Sequence, residues 1–161
     1  AIVNMQRLDW INGHYIRNKA LKELTKLCLP YAPGITEQIV SLYHERLKKL
    51  SEITELTDFF FTDHLEYASE LLRWKDASDE QTKSMLEKLY TLLNGVGEWT
   101  KEGLEHTLMP EAEKETNRGY MLWPLRVALT GKKASAGPFE VAEVLGKKQT
   151  LQRIQDAQNI L

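Results

Sequence analysis

The stretch WPLRVALTGKKASAGPFEV, residues 123–141, reads as the end of one helix, a tight connection and the start of another. Residues 120–130 are mostly apolar, and the run stops at Gly131. Pro124 falls in the first turn of that run, where the earliest helical amides lack intrahelical acceptors and a proline is tolerated. Lys132 and Lys133 lead to Gly137-Pro138, which opens a helix through Val141, Val144 and Leu145, ended by Gly146. A last helix begins near Thr150 and carries Leu151, Ile154 and Ile160. Nothing here alternates with the period of two that a strand requires.

The same helical period extends outward. Ser78 with Gln81 fits a capping box, in which two side chains satisfy amides that would otherwise be orphaned, and it opens a helix through Met85, Leu89 and Leu92, stopped at Asn94-Gly95. Thr100 opens the next, through Leu104 and Leu108 to Pro110. Upstream, Asn18 is placed to cap a helix carrying Leu21, Leu24, Leu27 and Cys28. After the Pro33-Gly34 turn, Thr36 caps a helix whose apolar stripe is Ile39, Val40, Tyr43, Leu47 and Leu50. Ser51 begins a short helix with Ile53, Leu56, Phe59 and Phe60, and residues 64–75 form a further candidate with Leu65, Ala68, Leu71 and Leu72. The expectation is an all-α chain of two small packed helical subdomains, residues 1–75 and 76–161, divided near residues 75–78 where polar residues interrupt the pattern. Halves this small are marginal alone.

Net charge is −2, from 21 Lys+Arg against 23 Asp+Glu, which excludes a globally basic binder. Locally the balance is polarised. Residues 76–116 hold ten acids against four bases, and residues 117–153 hold seven bases against two acids. A basic last quarter is what an anion-binding surface looks like, and a solvated lysine-rich face looks the same. The single cysteine, Cys28, excludes a disulfide framework. No run approaches the roughly 20 apolar residues of a membrane span, and no signal-peptide pattern opens the chain, so a cytoplasmic protein with no membrane partner is expected.

Catalytic chemistry is sparse. His14, His44, His64 and His106 are scattered without metal-ligand spacing, so no metal site is expected. No Walker A sequence occurs, and Gly95-Val96-Gly97 lacks the third glycine of a dinucleotide fingerprint. Cys28 lies on an apolar stripe and reads as a buried thiol. Glu111 and Glu113 sit in a polar segment with nothing to raise either pKa. The chain is expected to bind without catalysing.

Two segments invite a binding reading. In LDWINGHYIR, residues 8–17, Trp10, Tyr15 and Ile16 anchor a turn at Gly13, though a short helix packed by its tryptophan explains them equally. In residues 123–141, Arg126 interrupts an apolar helix and must snorkel, meet a buried acid, or face an anionic or planar polar ligand. The loop through Ser135, Gly137 and Pro138 leads into a helix N-terminus, whose free amides suit phosphates and unstacked bases. A purely structural turn fits as well.

Together these segments resemble the C-terminal half of bacterial-type glutamyl-tRNA synthetases, class I enzymes. The family pattern K-L-x-W-x-N-x-x-Y-I-R matches Leu8, Trp10, Asn12, Tyr15, Ile16 and Arg17. P-L-R-x-A-L-T-G matches Pro124, Leu125, Arg126, Ala128, Leu129, Thr130 and Gly131. S-x-G-x-F-E and L-G-K-x-x-x-L-x-R match Ser135, Gly137, Phe139 and Glu140, then Leu145, Gly146, Lys147, Leu151 and Arg153. Glu98-Trp99-Thr100 is similar to the family's short W-[ST] helix start. The matches keep family order and spacing from residue 3 to the end. Arg7 stands where lysine is usual, Val3 where an aromatic is common, and Pro138 where leucine is frequent.

The resemblance implies a helical cage that grasps the anticodon loop of tRNA(Glu), with tRNA(Gln) left open. The first subdomain would hold the end of the stem-contact region and the first anticodon-binding unit. It implies that Arg46 faces the third anticodon base, that Arg126 contacts anticodon nucleotides, and that Ser135, Gly137 and Pro138 line the same bases. Arg46 lies on the polar side of its expected helix, away from Tyr43 and Leu47. Lys132, Lys133, Lys147 and Lys148 would attract phosphates. Neither H-I-G-H nor K-M-S-K-S occurs. The family's ATP, magnesium and glutamate sites are therefore assigned to a catalytic N-terminal domain of the same parent chain. The expectation is a monomeric C-terminal piece of a glutamate–tRNA ligase that holds no cofactor and is inactive alone. The rival is a helical protein–protein module that does not bind RNA.

Overall fold

The computed structural model describes residues 4–161, and the expectation for Val3 lies outside them. Every regular element among the described residues is helical, as the periodicity predicts. The chain divides into two compact units between Phe61 and Thr62.

In the first unit, α1 (Met5–Arg17) is capped by Asn4, whose side chain accepts from the Arg7 amide. Gly13 makes no turn. It lies buried inside α1, where a Cβ would stand 3.5 Å from the Leu47 carbonyl, so its missing side chain permits a close approach. Asn18 closes α1 instead of opening the next helix: its Nδ2 donates to the His14 carbonyl at 2.9 Å. α2 (Leu21–Cys28) follows without a side-chain cap and buries Leu24 and Cys28. Thr36 caps α3 as expected, but α3 (Glu37–Ser41) is short. Ser41 Oγ donates to the Gln38 carbonyl, and the backbone tightens into three-residue bonds, Leu42 to Ile39, Tyr43 to Val40 and Arg46 to Tyr43. These turns still bury Ile39, Val40, Tyr43 and Leu47, so the stripe survives although the long helix does not. α4 (Glu52–Thr57) and a 3₁₀ turn (Asp58–Phe61) close the unit over Ile53 and Phe59.

The second unit holds α5 (Asp79–Asn94), α6 (Lys101–Ala112), α7 (Gly119–Thr130), α8 (Pro138–Leu145) and α9 (Lys147–Asn159). The Ser78–Gln81 capping box forms on both sides, and Thr100 caps α6. α7 packs against α5, α6, α8 and α9, which is why it reads as apolar around most of its circumference. Pro124 lies buried beyond its first turn, because the helix begins at Gly119. Gly131 ends α7 at φ 67°, and Gly146 at φ 80° joins α8 directly to α9, which therefore starts before Thr150.

Residues 64–75 are not an α-helix. Their one regular turn is 3₁₀, Ser69–Leu72. Backbone carbonyls of this stretch and of Thr62 just before it are taken by side chains from elsewhere: Trp123 Nε1 donates to Leu71 and Arg153 Nη2 to Thr62, both at 2.8 Å. Those bonds tie the segment to α7 and α9. The compact units accordingly part at residues 61 and 62 and not near residue 75, where the charge pattern changes without a break in packing.

Candidate nucleic-acid interface

Arg126 leaves α7 toward the connection that follows it. Its Nη1 donates to the Ser135 carbonyl and hydroxyl, both at 2.9 Å, and to the Ala136 carbonyl at 3.3 Å. Ser135 Oγ donates in turn to the Ala136 carbonyl at 2.7 Å. Thr130 Oγ1 donates back to the Arg126 carbonyl and accepts from the Lys132 amide. The P-L-R and S-x-G segments, read separately in the sequence, thus form one hydrogen-bonded corner in which Arg126 holds residues 131–137.

Arg126 also lines an open groove of about 530 Å³ with Trp74, Glu105, Asn117, Arg118, Leu122 and Trp123. The Trp74 and Trp123 rings lie 5.3 Å apart at 45°. Gly119 makes this arrangement possible: a Cβ there would come within 2.2 Å of Trp74 Cε2, a distance that forces the indole to move. Tyr120 OH donates to Asp76 at 2.7 Å, and that bond holds the Asp76 carboxyl below the usual range. Trp74, Arg118 and Gly119 were not legible as site residues. A lone tryptophan beside a polar break and a glycine at a helix start carry no pattern of their own. Two guanidinium groups beside two indoles offer cation and flat surface together, which suits unstacked bases on a phosphate chain.

The α8 N-terminus offers less than its sequence suggests. The Gly137 amide donates to Glu140 Oε2 at 3.1 Å, and Lys101 Nζ lies 3.1 Å from Glu140 Oε1. An acid of the chain already occupies the place expected for a phosphate. Pro138, the first residue of α8, is buried. The four lysines also divide. Lys147 Nζ donates to the carbonyls of Asn94 at 2.7 Å and Val96 at 2.9 Å, closing the end of α5. Lys133 and Lys148 are exposed, and Lys132 is half-buried. Arg46 belongs to the first unit, exposed on the turns after α3 and not on a helix.

Arg153, the last residue of the L-G-K-x-x-x-L-x-R match, is 2% exposed. It donates to the carbonyls of Leu129 and Thr62. Burial lowers its pKa, opposed by Asp156, Tyr67 and Asp63. Cys28 is buried, which pushes its thiol up and leaves it inert. Among the described residues no three His, Cys, Asp or Glu side chains gather as a metal site requires. No helix among them is long and apolar enough to cross a membrane.

Residues 23–158 match the family described as "Anticodon binding domain", and the chain belongs to that family. It is 39% identical over 165 residues to the glutamate–tRNA ligase of Clostridium tetani, across 96% of this chain and 33% of that enzyme. It is 31% identical to glutamate–tRNA ligase 2 of Thermoanaerobacter pseudethanolicus, across 98% of this chain and 35% of that one. The chain therefore spans about a third of the length of the curated relatives it matches. The crystal structure of a glutamate tRNA ligase from Elizabethkingia meningosepticum, in complex with its amino acid, shares the fold. Its TM-score is 0.79 at 20% identity, over 95% of this chain and 32% of that one.

Proposed function

We propose that this chain is the tRNA-gripping C-terminal part of a glutamate–tRNA ligase and that it binds the anticodon loop of tRNA(Glu). The observation that carries the reading is the match of residues 23–158 to an anticodon-binding domain in a chain whose relatives are glutamate–tRNA ligases. The groove beside Arg126 supports it, because Arg118 and Arg126 attract phosphate and base edges while Trp74 and Trp123 give bases a flat partner. Arg46, in the first unit, supplies a further guanidinium for base reading. Ser135 and Gly137 act by shaping the corner that Arg126 holds. Ligation of glutamate with ATP and magnesium belongs to the remaining two-thirds of such an enzyme, which works in the cytoplasm.

A mobility-shift titration of tRNA(Glu) with the 161-residue chain, at low and raised salt, tests this. Binding that weakens steeply with salt is expected. No binding at low salt would falsify the anticodon reading.

A further inference from the structure

The second unit holds three tryptophans, and two of them place their indole N–H on backbone. Trp99 Nε1 donates to the Ala142 carbonyl at 2.9 Å, and Trp123 Nε1 to the Leu71 carbonyl at 2.8 Å. Trp74 differs. Its Nε1 is buried with no hydrogen-bond partner among the described residues. A buried donor left unpaired destabilises a fold and asks for a reason. Its position explains the lack. A Cβ on Gly119 would lie 2.5 Å from Trp74 Nε1, so the donor edge rests on the first residue of α7. A helix start presents amide N–H groups and the positive end of the dipole, with no spare carbonyl to accept. The backbone beside the ring is strained as well. Lys75, at φ 52°, is the one non-glycine residue in the left-handed region among the described residues, and such strain gathers at working sites.

Trp74 also lines two spaces. One is the groove it shares with Trp123, Arg118 and Arg126, whose one carboxylate is Glu105. The other is a cavity of about 460 Å³ beside α5, lined by Glu80, Met85, Lys88, Glu115 and Tyr120 among others. No other residue lines both. In the second cavity the one lysine, Lys88, is already paired at 3.3 Å with Glu111 and with Glu115. A phosphate chain therefore belongs in the groove with the two arginines, and the second cavity is room for the ring to move. An indole N–H donates and never accepts. It suits the O4 of uracil or the O6 of guanine, and it opposes the amino hydrogens on N4 of cytosine or N6 of adenine. We propose that Trp74 is a specificity-determining residue of the groove: its indole swings off Gly119 toward the second cavity and gives its N–H to the keto oxygen of an unstacked uracil or guanine. The bond that the resting fold denies the indole is thus supplied by the RNA. The inference deepens the anticodon reading above and rests on it.

The test is a set of tRNA(Glu) transcripts in which each uridine of the anticodon loop is replaced in turn by cytidine, and each guanosine by adenosine. All are titrated against the 161-residue chain and its Trp74→Phe variant. Phenylalanine keeps a flat ring and removes the donor. One replacement should weaken binding to the parent chain by about tenfold, and the same replacement should weaken binding to Trp74→Phe by less than about twofold. In the parent, the Trp74 indole proton, assigned by the loss of its signal in Trp74→Phe, should move downfield when tRNA(Glu) is added, as a newly bonded N–H does. Equal discrimination by the two chains overturns the proposal. Uniform weakening of every RNA in Trp74→Phe, with the pattern of discrimination kept, makes the ring a stacking surface only and overturns it too. If Trp74→Phe does not fold, the parent decides: indole proton signals that all stay in place at saturating tRNA(Glu) overturn it. A parent chain that binds no tRNA removes the anticodon reading together with this one, whereas binding with an unchanged pattern in Trp74→Phe removes this one alone.

Discussion

Arg126 Nη1 stands 2.9 Å from both the carbonyl and the hydroxyl oxygen of Ser135, so the arginine most exposed to a binding interpretation is also a brace. An arginine inside an apolar helix has to find oxygen. Here backbone and hydroxyl oxygens of Ser135 and Ala136 supply it. Arg126 also lines the groove with Trp74 and Trp123.

Arg126→Ala is expected to act twice. Removing a charged donor from the Ser135 and Ala136 carbonyls should cost about 1–3 kcal/mol of stability, read as a lower melting temperature. Loss of base and phosphate contacts should weaken tRNA(Glu) binding by roughly 1–3 kcal/mol. The separating variant is Ser135→Ala, which removes one acceptor and leaves Arg126 in the groove. Its affinity should stay near that of the parent. A lower melting temperature with unchanged affinity in Arg126→Ala would confine that residue to bracing.

Arg153→Met tests the other arginine of the resemblance. Its two carbonyl partners, Leu129 and Thr62, lie on separate segments, and the side chain is 2% exposed. Methionine fills the space but donates nothing, so each carbonyl left unpaired costs roughly 1–3 kcal/mol. The melting temperature should fall by many degrees, and residues 62–72 should lose protection from amide exchange. A melting temperature within error of the parent would mean that water replaces both bonds.

These two arginines show what the sequence could and could not reveal. Helical period exposed α5, α6, α8 and their caps, because Ser78, Gln81 and Thr100 act within four residues of themselves. It failed at residues 64–75, where apolar spacing is helical but the backbone is claimed at Leu71 by Trp123 and, just before the stretch, at Thr62 by Arg153, some fifty and ninety residues away in sequence. Long-range side-chain bonds to backbone leave no local trace. The same holds for the groove. Arg126 was legible as an anomaly in an apolar run, whereas Trp74 becomes meaningful only because Gly119 lets it reach Trp123. At Gly137 and Pro138 the helix start is plain in the sequence, but not that Glu140 fills the anion position there.

Tyr67 sets an alkaline limit. Burial, with help from Asp156 and against Arg153, raises its phenol to about 12. An unfolded tyrosine loses its proton near pH ~10. Between those values the unfolded chain has shed the proton that the folded chain keeps, so stability falls as pH rises. The contribution is intact below about pH 10 and gone above about 12. Tyr67→Phe should therefore flatten the decline in melting temperature above pH 10 while leaving the neutral value little changed. An unaltered alkaline slope would place the titration elsewhere.

The lysines give the sharpest separation between surface charge and architecture. Lys133 and Lys148 are exposed, while Lys147 closes the end of α5 through the Asn94 and Val96 carbonyls. If phosphate attraction comes from exposed cations, Lys133→Ala and Lys148→Ala should each weaken tRNA binding across sequences and reduce the slope of log affinity against log salt by about 1. Neither should move the melting temperature, because neither side chain holds a backbone group. Lys147→Ala should do the reverse. Two carbonyls at a helix end lose a charged donor, which lowers the melting temperature, while the salt slope changes little. The measurement is a salt series of tRNA titrations beside thermal unfolding for all three variants. A slope change confined to Lys147→Ala would show that the phosphate path runs over the end of α5, with Lys147 taking phosphate in place of its two carbonyls.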